Sequence, residues 1–363
     1  MLNTGKKTGV LLVDDSPLIV EVVKSIIETD DELRVIGTAN NPYEAAKIIA
    51  KQKPDVIILD IQMPRMDGLT FLKKIMSQHP IPVVIFSSVA EKGSRNALLA
   101  LSYGAVEILQ KPKSILDKDF TEKSKQFCQT VKAAAAAKGK LKLLKSYTPT
   151  KEKFSADVIL EKRKNALKQP AAKRIVAIGA STGGTQAIEK IISDLPTNVP
   201  GIVIVQHMPG NFTKSFADRL NSTSKVCVKE AEQGDIVREG CVLIANGFFH
   251  LLVKRAGNNY YTVLKDGPLV NRHKPSVDVL FRSVSHYAGT NATGILLTGM
   301  GDDGAKGLLE MRESGAVTIA QDEESSLVFG MPREAIKIGA AKKIYSIDRI
   351  INYLISLSYP KKL

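Results

Sequence analysis

Short apolar runs alternate with amphipathic stretches along most of the chain, in two blocks. Across residues 8–112 the runs TGVLLV, LRVIG, DVIILD, PVVIFS and AVEILQ read as strands, with helical patterns between them. From about residue 173 the strand candidates are RIVAIG, GIVIVQH, KVCVKEA, CVLIAN, HLLVKRA, YYTVLKD, TGILLTG and AVTIAQ, and helical patterns fall at 184–194, 211–221, 276–288, 304–314 and 331–338. Strand and helix alternating at this spacing predict parallel sheets covered on both faces, so the expected class is α/β with two doubly wound domains. An antiparallel hairpin is expected around 249–265, where GNN supplies turn residues between two β-rich runs.

The stretch between the blocks carries an alanine run, scattered lysines, Pro149 and Pro170, and reads as the end of one domain followed by a partly helical, partly flexible tether. The expected organisation is a first domain at 1–125, a basic linker at 126–172 and a second domain at 173–363. Charge sharpens this division. Of the formal +14, the stretch 121–174 alone supplies +11, from fifteen Lys/Arg against four Asp/Glu, so the folded parts are nearly neutral. Without interleaved aromatic residues the lysines read as a solvated tether rather than a nucleic-acid arm.

A hydrophobic fraction of 44% and a charged fraction of 24% describe a globular chain, and no apolar run nears the roughly 20 residues that span a bilayer, so membrane embedding is not expected. The opening MLNTGKKTGVLLVDD lacks the long core of a signal peptide, which makes the cytoplasm the expected compartment. Cys128, Cys227 and Cys241 are widely spaced with no C-x-x-C, which supports neither a disulfide framework nor a zinc site.

In doubly wound sheets, function gathers at the carboxyl ends of the strands. In the first block Asp14 and Asp15 close the first strand, Asp60 the third and Ser87 the fourth, while Lys111, followed by Pro112, closes the fifth. Three carboxylates on one rim repel unless a hard cation joins them, and Mg²⁺ takes carboxylate, water and phosphate oxygens. Asp60 is then free to attack a phosphoryl group, with Lys111 and Ser87 binding the transferred oxygens. Here LLVDDSP, VIILDIQMPRMDGL, VVIFSS and LQKP, in this order, resemble the receiver domain of two-component response regulators. The resemblance implies a flavodoxin-like fold, Mg²⁺ held by the acidic pair, Asp60 and the backbone carbonyl of Gln62, and phosphorylation of Asp60 by a histidine kinase. Many receivers carry an aromatic residue three positions before the lysine, where this chain has Ile108.

In the second block RIVAIGASTGG could cradle a phosphate or expose a nucleophile. A dinucleotide fingerprint needs glycine where Ser181 stands, and no G-x-x-x-x-G-K-[ST] occurs. From Gly179 the run fits G-x-S-x-G, a strand-to-helix turn that exposes a serine hydroxyl and presents the next backbone N–H to an oxyanion. Its partners are a histidine and an acid. His207 ends the next strand, whereas His79, His250 and His286 fall in turn, hairpin or helix contexts suited to surface or packing roles; Asp302 and Asp303 lie in a glycine-rich loop at another strand end.

The chain order Ser, His, Asp departs from the α/β hydrolases. Instead AIGASTGGT, IVIVQHMP, HKPSVDVLF, ILLTGMGDDGAKGL, TIAQDEESSLVFGMP and EAI, spread over 174–336, resemble the catalytic domain of chemotaxis protein-glutamate methylesterases. The resemblance implies a Rossmann-like domain without a cofactor of its own, with Ser181 as nucleophile, His207 as general base, Asp303 as orienting acid, and an oxyanion site at the backbone N–H groups of Thr182 and Met300. Relatives vary at Asp302; His273, in the loop RHKPSVD, lines the groove or packs. The implied reaction is hydrolysis of glutamyl methyl esters, with deamidation of glutamines, on methyl-accepting chemotaxis receptors. The same resemblance implies that the unphosphorylated receiver covers the catalytic face and that phosphorylation raises activity. A regulator whose second domain only binds a partner is the rival reading; strand ends bearing serine, histidine and aspartate, and the lack of a basic recognition helix after residue 174, disfavour it.

Overall fold

The computed structural model describes residues 7–63, 68–78, 80–87, 96–97, 99–101, 103–111, 120–137, 154–162 and 173–358, which divide into one compact unit within Met1–Ser146 and another within Tyr147–Leu363. His79, Pro112 and the tether residues 138–153 and 163–172 lie outside the described residues.

In the first unit β1 (Thr8–Val13), α1 (Pro17–Glu28), β2 (Leu33–Ala39), α2 (Pro42–Lys51), β3 (Val56–Leu59), α3 (Gly68–Gln78), β4 (Val83–Ser87) and β5 (Glu107–Gln110) alternate along the chain. The strands form a parallel sheet of order β2-β1-β3-β4-β5. β3 and β4 are buried at every residue, as expected of strands covered on both faces. Ser16 caps α1 ahead of Pro17, whose fixed φ suits the first helical turn. The chain runs outward from β1 to β2 and then returns to β3 on the other side, so the direction reverses between β1 and β3.

Helix α4 (Phe120–Ala136) enters the span expected to be linker. Its Phe127, Cys128, Val131, Ala133 and Ala134 are buried, and the Phe127 ring meets Phe86 edge-on with centroids 5.6 Å apart. The alanine run therefore belongs to a packed helix face rather than to a tether.

The second unit begins earlier than its strand pattern. Residues 154–162, with a 3-10 turn at Ala156–Val158, bury Ala156 and Ile159 among Leu252, Val270 and Val279. Then follow β6 (Ile175–Ala180), α5 (Gly184–Ser193), β7 (Gly201–Gln206), α6 (Gly210–Thr223), β8 (Cys227–Glu230), β9 (Ile236–Val237), β10 (Cys241–Ile244), β11 (His250–Ala256), β12 (Asn259–Lys265), α7 (Val277–Tyr287), β13 (Ala292–Leu296), α8 (Ala305–Glu313), β14 (Val317–Gln321), α9 (Met331–Lys337), β15 (Lys343–Tyr345) and α10 (Ile347–Leu357). Seven strands make a parallel sheet of order β15-β14-β13-β6-β7-β10-β8. The expected hairpin is present: β11 and β12 pair antiparallel from His250↔Lys265 to Ala256↔Asn259 across Gly257, and β9 extends it. β9, β15 and α10 are additions to the expected elements. Among the described residues no helix is long and apolar enough to cross a membrane.

Wound outward from β6 in both directions, the large sheet reverses between β6 and β13. In open α/β sheets the crevice beyond that reversal is where ligands bind.

Candidate active site

Ser181 follows β6 directly, and its backbone is tied on three sides. Its N–H donates to the Thr298 carbonyl at 3.0 Å, and its own carbonyl accepts from the Gly184 N–H at 2.6 Å and from Gln206 Nε2 at 3.0 Å. Glycines permit this closeness. A Cβ on Gly179 would stand 2.2 Å from Val277 Cγ1, one on Gly184 2.2 Å from Gln206 Oε1, and one on Gly299 2.7 Å from the Ser181 Cβ. Gly183 is left-handed at φ +79, and a Cβ there would stand 2.6 Å from Leu327 Cβ. The glycines of GASTGG thus serve the approach of backbone to neighbouring side chains.

The N–H groups of Thr182 and Met300 donate to no atom among the described residues. They lie in the loops after β6 and β13, on either side of the reversal. The Thr182 carbonyl accepts from Thr298 Oγ1 at 2.9 Å, and Gly299 is pinned by its N–H to Val328 and by its carbonyl, which accepts from Gly330 and Met331. Both loops are therefore held from within the sheet edge while two donors stay open.

His207 follows β7, its N–H donating to the Ala180 carbonyl at 3.0 Å. Its Nε2 lies 2.9 Å from Asp303 Oδ2. Because an ionised carboxylate only accepts, the ring proton sits on Nε2 and leaves Nδ1 as an acceptor. That Nδ1 is buried and has no hydrogen-bond partner among the described residues. The His273 ring stacks on His207, with centroids 3.7 Å apart and planes 15° from parallel.

Asp303 is 1% exposed and accepts four further hydrogen bonds: from Asn271 Nδ2 (2.8 Å), Ser276 Oγ (2.8 Å) and the N–H groups of Val277 (2.7 Å) and Asp278 (3.2 Å). The last two are at the start of α7, where the helix dipole also favours an anion. Burial alone raises the Asp303 carboxyl, but the hydrogen bond from His207, the charges of His207 and His273, and the Asn271 donor outweigh it and hold the group well below the usual carboxylate range. Asp302, half-buried, lends its carbonyl to the turn before α8, accepting from Ala305 at 3.1 Å. His250 is a buried packing residue whose Nδ1 accepts from the Ser276 N–H and whose Nε2 faces the Pro268 carbonyl; burial pushes its pKa down.

Asn271, Ser276 and Asp278 were not singled out from sequence. Asp278, 4% exposed, accepts from Asn271 Nδ2 at 2.6 Å and from the Gly307 N–H at 2.6 Å; burial, then the charge of Asp303, push its carboxyl up to about 7. The available signal was their place in the loop that opens α7, with Ser276 at the N-cap and Asp278 in the first turn.

The first unit builds a second constellation at its own reversal. Asp14 is 4% exposed and Asp60 3%, Asp15 is open, and carboxylate oxygens of the three lie within 4.8 Å of one another. The Lys111 Nζ stands 2.7 Å from both Asp14 Oδ2 and Asp60 Oδ2. Burial alone would lower the Lys111 ammonium, but its hydrogen bonds to the two acids outweigh that and raise it, while burial pushes the Asp14 carboxyl up. Asp60 Oδ1 accepts from the Gln62 N–H at 3.0 Å, and the Lys111 N–H donates to the carbonyl of Ser87, which is fully buried. A Cβ on Gly68 would stand 2.6 Å from the Asp60 carbonyl, which accounts for the glycine in the run RMDGL. Ile108 is buried in β5 opposite Ile85.

Residues 176–354 match the family model described as CheB methylesterase, and residues 10–118 match the response regulator receiver domain. Protein-glutamate methylesterase/protein-glutamine glutaminase 3 of Geobacter metallireducens is 52% identical over 97% of this chain and 99% of its own. The corresponding protein numbered 2 from Oleidesulfovibrio alaskensis is 51% identical over 94% of this chain and 96% of its own. The crystal structure of the Thermotoga maritima CheB methylesterase catalytic domain superposes with a TM-score of 0.50 at 42% identity, covering 52% of this chain and all (100%) of that one.

Proposed function

Because this chain belongs to the CheB methylesterase family and carries a response regulator receiver domain, we propose that it hydrolyses glutamyl methyl esters on methyl-accepting chemotaxis receptors, with Ser181, His207 and Asp303 as the triad. The observation that carries this reading is the pairing of His207 with buried Asp303 at the reversal where Ser181 also stands, beside two open backbone donors.

The chemistry follows from the ring orientation. Nδ1 of His207 takes the Ser181 hydroxyl proton as Oγ attacks the ester carbonyl. This is the reverse of the chymotrypsin arrangement, in which the acid sits on Nδ1 and Nε2 faces the serine. The N–H groups of Thr182 and Met300 receive the oxyanion, and Asp303 stabilises the imidazolium. His207 then protonates the departing methoxide, giving methanol and an acyl-enzyme. Water, deprotonated by the same nitrogen, releases the glutamate and restores Ser181. Each turnover returns one negative charge to the receptor. The same attack on a glutamine amide releases ammonia, in keeping with the second activity in the relatives' names.

In the receiver the hard oxygen donors of Asp14, Asp15 and Asp60, grouped within 4.8 Å, suit Mg²⁺, with the Gln62 carbonyl completing the protein's share. When bound, that ion neutralises the acids against an incoming phosphoryl group. Asp60 is the nucleophile toward phosphoryl from a histidine kinase, and Lys111 and Ser87 take the phosphoryl oxygens. Phosphorylated receiver raises methylesterase activity, and the setting is the cytoplasm, where receptor signalling regions and kinase meet.

Methanol release from methylated receptor membranes tests the reading. It is expected from wild type and absent from Ser181→Ala with the fold intact. A folded wild type that releases neither methanol nor ammonia sinks it.

A further inference from the structure

Beyond the triad, one turn reaches both His207 and Asp303. Asn271 and Arg272 have φ of +50 and +73, and Val270 and His273 exchange both backbone hydrogen bonds around them, at 3.0 and 2.8 Å. Two successive left-handed residues inside such a pair make a type I′ turn, and asparagine is among the few side chains at home there. His273 leaves the turn stacked on His207. Asn271 sends one NH₂ group to two buried carboxylates, Asp278 Oδ2 at 2.6 Å and Asp303 Oδ1 at 2.8 Å. Asp303, ionised, can only accept, so the Asn271 amide turns its NH₂ toward it and the orientation of the amide is set.

The turn is fastened from outside the span that matches the methylesterase family model. The Asn271 N–H donates to the Phe154 carbonyl at 3.0 Å. The strap that carries Phe154 is seated in turn: Ile159 fills the space left by Gly267, its carbonyl accepts from Lys265 Nζ at 2.5 Å, and Arg282 binds Asp157 Oδ1 at 2.7 Å and the Leu160 carbonyl at 2.8 Å. Arg282 also forks onto Glu310.

We infer that Asn271 is a positioning residue for ester hydrolysis: its amide bridges Asp278 to Asp303 and so keeps Asp303 committed to His207, while residues 154–162 hold Asn271 in place. The inference rests on the triad reading above. Without the shared donor the two buried carboxylates repel more strongly, and Asp278 keeps its proton to higher pH. Protonated Asp278 then donates to Asp303 and competes with His207 for it. The titratable groups facing this pair are His207 and His273 from the groove side, His250 from β11 and Glu310 from α8.

The test uses the full chain. Asn271→Gly removes the amide and tolerates the left-handed turn. Its kcat for methanol release is expected to fall about tenfold to a hundredfold with KM unchanged. Asp278→Asn sets two amide donors against each other and is expected to lose a similar factor. In the double variant the new amide at 278 can donate to Asp303, and most of the wild-type kcat is expected to return. Wild-type kcat in Asn271→Gly, or a double variant no better than the weaker single, overturns the inference. Should Asn271→Gly not fold, a folded and active double variant supports it and a dead one overturns it. Ser181→Ala measured alongside separates the two levels: if wild type and Ser181→Ala release methanol at indistinguishable rates, the triad reading fails. The clamp is then judged by NMR alone. The low-field proton on His207 Nε2 is expected in wild type and lost in Asn271→Gly, and its persistence there refutes the clamp.

Discussion

Asp278 and Asp303 sit side by side with opposite titration behaviour, and burial alone does not separate them. Asp303 collects donors from His207, Asn271, Ser276 and the start of α7, whereas Asp278 shares Asn271 and, among the described residues, takes only the Gly307 N–H besides. A carboxyl raised from 3.8 to about 7 binds its proton more tightly folded than unfolded, so its contribution is fully present below about pH 4 and is lost as the pH rises to about 7. Asp303, depressed, behaves in the opposite sense: its contribution is present above about pH 4 and is lost only in stronger acid. The urea midpoint of wild type is therefore expected to fall relative to that of Asp278→Asn between about pH 4 and about pH 7; parallel curves would contradict the assignment. The cysteines separate on similar grounds. Burial pushes the Cys128 thiol up to about 11 and raises Cys241, while Cys227 is exposed on β8. A maleimide is expected to label Cys227 first in the folded protein, and mass spectrometry of the peptides checks it.

At the scale of elements, close backbone approach decides more than propensity does. Gly179 lets β6 meet Val277, the residue whose N–H reaches Asp303, so Gly179→Ala drives a methyl into the helix start that holds the acid. A cost of about 1–3 kcal/mol is expected from overpacking, with activity reduced more than stability alone explains; a denaturation curve together with methanol release measures both. The strap makes the complementary case. Ile159 is 3% exposed, and Ile159→Ala is expected to destabilise the second unit by about 2–4 kcal/mol as a buried aliphatic truncation, which a calorimetric scan reads directly. From sequence the strap was invisible, because its apolar residues form one short run inside a lysine-rich stretch. α10 is absent from the elements expected from sequence, although Ile347, Ile350, Ile351 and Leu354 repeat at helical spacing behind a Ser346 cap. β9 and β15, two and three residues long, carry too little pattern to announce themselves.

For the whole molecule, the proposed control links phosphorylation of Asp60 to the rate at Ser181. A small phosphodonor with Mg²⁺ is expected to raise methanol release by wild type and to leave Asp60→Asn at its basal rate; equal stimulation of both would detach the receiver from the enzyme's control. The parts that meet at the two reversals were legible along the chain, because a doubly wound sheet sends every strand end to one rim and the pattern of apolar runs marks those ends. Asp14, Asp60, Ser87, Lys111, Ser181 and His207 follow strands or close them, and Asp303 lies in the loop beyond another strand, so their convergence comes largely from the alternation itself. Which ring nitrogen faces the acid, which donors surround Asp303, and that residues 154–162 belong to the second unit were decided only in three dimensions. Those contacts join Asn271 to Asp303 and Arg282 to Asp157 across 32 and 125 residues, through loops and a lysine-rich segment. No periodicity records such pairs, since they depend on side-chain direction and backbone handedness that arise once the sheet has closed on its helices.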